Sequence, residues 1–256
     1  MNNTKIDWAD STWNPVTGCL HECPYCYAKK MVARFASASM TSKGVYSLDL
    51  PVTKTDDPNS ARDPYPFGFA PTFHRYRLNE YARKKCRTVF VCSMADLFGM
   101  WVPDEWVLEV LKSCRQSRQH RYLFLTKNPV RYLYMALNGD LPFERDFWYG
   151  QTALTAADWY GRLPHKMFNT FCSIEPLVSE FGWFKTRNPP NWVIVGAETG
   201  QRKEKVVPQK IWVQNIAYQC KELGIPIFMK ESLRELMGDE FVQKKPWYEV
   251  PHETGG

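Results

Sequence analysis

Thr88-Val89-Phe90-Val91-Cys92-Ser93 is an apolar run rich in β-branched and aromatic residues, and it stops at Met94-Ala95-Asp96-Leu97-Phe98. A short continuous run of this kind reads as a strand buried on both faces, the type that fills parallel sheets. The period then changes. Pro103 stands at a helix start, and Asp104 to Ser117 carries its apolar residues at helical spacing. Arg121 to Thr126 is a second buried strand, after which Lys127-Asn128-Pro129 opens a helix running to Leu137.

The same alternation extends outward. Upstream, Ser11 to Thr17 reads as a first strand and Ala28 to Phe35 as a helix. Downstream, Phe147–Thr152, Phe168–Ile174, Trp192–Val195 and Ile225–Met229 read as strands, and Pro208 to Leu223 as a helix closed by Gly224. Apolar strands alternating with helices predict an α/β fold, a β/α barrel or a doubly wound sheet. Residues 36–87 break the pattern with Ser and Thr followed by Pro51, Pro58, Pro64, Pro66 and Pro71. That is too long for an ordinary connection and predicts an irregular insertion after the first helix, a candidate lid. Phe67, Phe69 and Phe73 are placed to pin it, and Leu78 to Lys85 reads as a short basic helix. Residues 230–256 form a C-terminal extension, and 256 residues suit one domain.

Composition sets bounds. Hydrophobic residues at 44% and aromatics at 15% suffice for a large core. The net charge of +6, with basic runs at Arg83 to Arg87 and Lys112 to Arg121, admits an anionic partner without demanding one. No signal-peptide pattern or membrane-length apolar stretch is present, so a cytoplasmic protein is expected. Cys86, Cys92, Cys114, Cys172 and Cys220 are scattered and read as small buried hydrophobes in a reducing compartment.

The other three cysteines are not scattered. Gly18-Cys19-Leu20-His21-Glu22-Cys23-Pro24-Tyr25-Cys26 spaces them C-x3-C-x2-C on a tight loop. Three thiolates from one short segment suit a soft metal centre that is one ligand short. Iron–sulfur clusters normally take four cysteines, so three leave one iron of a [4Fe–4S] cluster open to a non-protein ligand. A structural zinc completed by His21 or a distant residue, and plain packing, are the alternatives.

Active-site groups of such folds gather at the C-terminal ends of the strands. That rule selects Ser93, Asp96, Thr126, Lys127, Gln151, Thr152, Ser173, Glu175, Gly196, Glu198 and Thr199.

C-x3-C-x2-C with Tyr25 before the last cysteine resembles the radical S-adenosylmethionine (SAM) superfamily. The resemblance implies a [4Fe–4S] cluster on Cys19, Cys23 and Cys26, with the amino and carboxylate groups of SAM on the unique iron. It also implies reductive cleavage of SAM to a 5′-deoxyadenosyl radical that abstracts hydrogen from a substrate. SAM would then be held by the strand-end groups: Lys127 at its carboxylate, Glu175 or Glu198 at ribose hydroxyls or the ammonium, Gly196 offering bare backbone. Partners would be an external electron donor of flavodoxin or ferredoxin type and an organic substrate in a class that includes nucleotides and nucleic acid. The runs Val89–Phe98, Phe124–Pro129, Ser173–Leu177 and Trp192–Gly200 are similar to a phage- and bacteria-associated group of short radical SAM proteins related to spore photoproduct lyase. That likeness spans about Trp8 to Met229 and implies a partial TIM-type barrel of about six parallel strands with helices outside, with the substrate unspecified. In spore photoproduct lyase a cysteine at the end of the second strand returns hydrogen to the product radical. Here Ser93 takes that position with Cys92 beside it, so the lesion-repair activity is not carried over. A non-catalytic zinc module that binds nucleic acid or a partner protein is the competing expectation.

Overall fold

The structure is a computed structural model that describes residues 4–35, 43–57, 59–159, 163, 166–184, 188–200 and 202–247. The chain divides into two compact units, residues 1–5 with 9–142 and residues 6–8 with 143–256.

In the first unit the run expected as one strand is broken at Asn14-Pro15 into β1 (Ser11–Trp13) and β2 (Val16–Thr17). Proline has no N–H for a ladder, which accounts for the break. The cysteine loop follows β2 and leads into α1 (Tyr27–Phe35). The insertion is less irregular than its composition suggested. It contributes β3 (Tyr46–Leu48) and β4 (Thr72–His74), and these pair with β2 in a small sheet of order β2-β4-β3. Two of the three phenylalanines pin it: Phe73 is fully buried 5.3 Å from the Trp106 ring, and Phe69 is buried against Ala28, Val32 and Met94. The third, Phe67, is half-buried and stacks on Tyr46 at 3.8 Å. Residues 36–42 and Pro58 lie outside the described residues. Where a basic helix was expected, residues 78–83 form turns after a single 3₁₀ turn at Arg75–Arg77.

Next come β5 (Thr88–Val91), α2 (Asp104–Gln116), β6 (Arg121–Thr126) and α3 (Val130–Leu137), close to the expected limits. In β6, Tyr122 and Phe124 stand opposite Val89 and Val91, and this face meets the helices through Phe98 and Tyr132.

The second unit supplies β7 (Phe147–Thr152), β8 (Asn169–Ile174), β9 (Trp192–Val195), α4 (Lys210–Glu222), β10 (Ile227–Met229) and the short α5 (Arg234–Met237). No α-helix joins β7 to β8 or β8 to β9 among the described residues. One face of this sheet carries Cys172, Ile174, Val193, Val195 and Ile227 against Val213, Ile216 and Cys220 of α4. The other face is aromatic toward the strand N-termini, where Trp192 lies within 6.4 Å of the rings of Trp8, Trp148, Phe171, Phe228 and Trp247. Gly150 is required there, because a Cβ at this position would lie 2.2 Å from the Phe171 ring. The C-terminal extension covers the last strand. Met229 N–H donates to Val242 O and Lys244 N–H to Ile227 O, which closes an otherwise open sheet edge. Residues 248–256 lie outside the described residues.

The large sheet has seven strands in the order β1-β5-β6-β7-β8-β9-β10, one more than the six or so expected. In this sheet each register determined within either unit is parallel, whereas β2 and β4 of the small sheet pair antiparallel. The fold is thus α/β with the strand sequence of a partial TIM-type barrel. No helix among the described residues is long and apolar enough to cross a membrane.

Candidate functional site

The cysteine loop is fastened at its start by two backbone bonds. Gly18 N–H donates to Met94 O at 2.9 Å and Cys19 N–H to Phe69 O at 3.3 Å, tying the loop to the end of β5 and to the insertion. Gly18 has φ +86°, and a Cβ there would lie 2.2 Å from Ala70 O, so both conformation and space demand glycine. Asn14 holds the same corner. Its Oδ1 accepts from Met94 N–H at 2.9 Å and from Ser93 Oγ at 3.2 Å, while Tyr27 OH donates to Ser93 O at 2.5 Å.

Cys19, Cys23 and Cys26 line one pocket of about 310 Å³, shared with His21, Lys29, Lys43 and Phe69. Cys26 Sγ accepts from Lys29 N–H at 3.4 Å, because the first turn of α1 points its free amides back at the loop. Burial pushes the Cys19 thiol up to about 12, the backbone N–H of His21 opposes this, and the nearby Asp96 charge adds to it. Among the described residues no group of three or more His, Cys, Asp or Glu is gathered as around a single metal ion. In a [4Fe–4S] cluster each cysteine binds a different iron, so its thiols need not converge on one point. The donor set on the pocket wall, three thiols with backbone N–H groups directed at two of them, suits such a cluster.

Asp96 is the hub behind this loop. Its side chain is only 7% exposed. Oδ1 accepts from Phe98 N–H at 3.0 Å, within its own turn. Oδ2 accepts from Lys127 N–H at 2.9 Å and from His21 Nε2 at 2.7 Å. One carboxylate therefore joins the ends of β5 and β6 to the residue midway between Cys19 and Cys23. His21 also packs edge-on against Trp101 at 4.8 Å. The Lys127 ammonium lies 5.9 Å from the ring centroid of Tyr25, the aromatic of the cysteine motif.

Strand parity separates the remaining candidates. Successive side chains of a strand face opposite ways. Thr126 follows Tyr122 and Phe124 onto the helix side, and its Oγ1 accepts from Asn128 N–H at 2.9 Å. Cys92 has φ +58°, is buried, and lies near the buried Cys114 of α2, which puts it on the helix side too. Cys86 is exposed, unlike the buried hydrophobe expected.

Within the second unit, Gln151 stands opposite Cys172 on the face toward α4, and its amide donates to Asp158 O. Thr152 and Ser173 are paired on the other face, and Ser173 Oγ is buried with no hydrogen-bond partner among the described residues. Glu175 is bonded to Lys230 Nζ. Gly196 makes room for that lysine, whose Cδ would lie 2.8 Å from a Cβ there. Glu198 is held by Arg202 through two bonds of 2.7 Å. Sequence reasoning missed these two cations and also Asn14, Lys29 and Lys43. Arg202 sits four residues from Glu198, a helical spacing that could have drawn notice; the others carried no such mark.

A family model described as "Protein of unknown function (DUF5131)" matches residues 3–244. No curated protein sequence matches the chain. Among solved structures, "Spore photoproduct lyase complexed with dinucleoside spore photoproduct" is similar, with a TM-score of 0.53 and 9% identity. The match covers 90% of this chain and 79% of that one. At such identity the likeness is one of fold.

Proposed function

The chain belongs to the DUF5131 family, and from that premise we propose that it is a radical SAM enzyme. The observation that carries the proposal is the placement of Cys19, Cys23 and Cys26 on the wall of one pocket directly after the first strands of a partial barrel. The fold shared with spore photoproduct lyase supports it.

Cys19, Cys23 and Cys26 would hold a [4Fe–4S] cluster with SAM as its non-protein ligand. The pair would supply, on reduction, a radical able to abstract hydrogen from a substrate. The chain does the rest. Backbone N–H groups of Lys29 and His21 stabilise the thiolates, and Asp96 fixes the loop by gripping His21. Lys127 is assigned to the SAM carboxylate. Ser93, Asp96, Ser173, Glu175, Gly196 and Glu198 remain cofactor-binding candidates on the strand-end rule, as does Thr152 by its face, whereas Thr126 and Gln151, selected by the same rule, turn toward the helices. The complex named for the structural neighbour favours a nucleotide or nucleic-acid substrate, and the net charge of +6 admits one. An external carrier delivers the electron.

Anaerobic reconstitution with iron and sulfide, then dithionite and SAM, is expected to release 5′-deoxyadenosine. Cys26→Ala should lose both the cluster absorbance and that product. An intact cluster that yields no 5′-deoxyadenosine would refute the proposal. One observation favours a zinc module as the second reading: His21 Nε2 bonded to a carboxylate is the arrangement that orients Nδ1 toward a metal.

A further inference from the structure

Helix α1 is amphipathic with an unusual outer face. Its inner face, Ala28 and Val32, is buried against Phe69 and Met94. The outer face repeats at helical spacing and carries Tyr27, Met31 and Phe35, which are 48%, 41% and 53% exposed. Lys30 and Arg34 lie between them on the same face and are exposed. Leu20, 51% exposed on the cysteine loop, adds a further apolar side chain. Solvated helix faces usually carry charges of both signs, but α1 contains no acidic residue. Lys29 and Lys43 add positive charge at the pocket, against the single carboxylate of Glu22. This surface adjoins the candidate centre: Tyr27 follows Cys26 in the chain, and Lys29 N–H donates to Cys26 Sγ.

We propose that the outer face of α1 docks a small acidic electron-carrier protein. The inference rests on the radical SAM reading, which requires one electron from outside the chain. That electron leaves the carrier's reduced cofactor and enters the cluster, and no bond is made or broken. The apolar side chains supply the dry centre of a small interface, and the cations around them attract the carrier and set its orientation. An acidic protein with an apolar patch matches both the cations and the Met31 and Phe35 side chains between them.

The test uses a flavodoxin as probe, with its affinity for the reconstituted chain measured by calorimetry at low and high salt. Lys30→Glu with Arg34→Glu should weaken binding at least about tenfold and flatten its salt dependence. Met31→Ser with Phe35→Ser should weaken it to a similar degree while leaving the salt dependence in place. Both variants should still bleach with dithionite, which needs no docking surface. Flavodoxin affinity within about twofold of the parent in both variants would overturn the proposal. So would a parent chain that binds no flavodoxin, or one that self-associates through this face so that the variants change its mass instead. A parent chain that takes up no iron–sulfur cluster would refute the radical SAM reading itself, and cluster uptake is read separately from docking.

Discussion

Replacing Asp96 should loosen the site and the first unit together. Three donors converge on this carboxylate, namely Phe98 N–H, Lys127 N–H and His21 Nε2, all within 3.0 Å. A hydrogen bond to a charged group contributes about 1.5–3 kcal/mol net, and a buried donor left unpaired costs about 1–3 kcal/mol. These figures do not add fully, because water reaches His21 as the loop loosens. Asp96→Ala is therefore expected to cost about 3–5 kcal/mol. Asp96→Asn keeps one acceptor for the Phe98 turn but turns a donor toward Lys127 N–H, and should cost about 1–3 kcal/mol. Urea denaturation, followed by near-ultraviolet dichroism at Trp101 and its neighbours, gives both values. The yield of reconstituted cluster should fall in the same order, since His21 lies between two cysteines of the loop. A loss below about 1 kcal/mol for Asp96→Ala would refute the hub, and so would an alanine variant more stable than the asparagine one.

Two further perturbations test the packing. Burial holds the His74 imidazole down to about 3, with the Arg77 charge acting the same way. An unfolded histidine takes its proton near 6.5, so between those values the unfolded state binds the extra proton and acid favours unfolding. The stabilisation is complete above about pH 6.5 and is lost as pH falls toward 3. Lowering pH from about 7 to 5 should remove about 2 kcal/mol. His74→Gln should flatten urea midpoints across that range, and an unchanged slope would contradict the argument. Gly150→Ala puts a methyl into the Phe171 ring and should cost about 1–3 kcal/mol in thermal unfolding, whereas a neutral result would mean that the aromatic layer can give way.

The α/β fold was legible because its buried strands are continuous apolar runs, and Val89–Val91 or Trp192–Val195 could hardly be anything else. The strands β3 and β4 were not legible. Each is three residues long, too short for a period to register, and each is held by partners distant in sequence. The strand-end rule located positions but not faces. Gln151 and Thr152 are neighbours in sequence, yet the register with Cys172 and Ser173 sends them to opposite sides of the sheet. The His21–Asp96 bond spans 75 residues and rests on the turn after β5, so no local pattern announces it. The cysteine motif needed no such help, since its ligands lie within one loop and share one pocket wall.

Iron, acid-labile sulfide and zinc, assayed together on the anaerobically purified and reconstituted chain, test the central claim most directly. The account predicts about four iron and four sulfide per chain, lost together in Cys19→Ala, Cys23→Ala or Cys26→Ala. About one zinc per chain with no sulfide, released by the same substitutions, would contradict it.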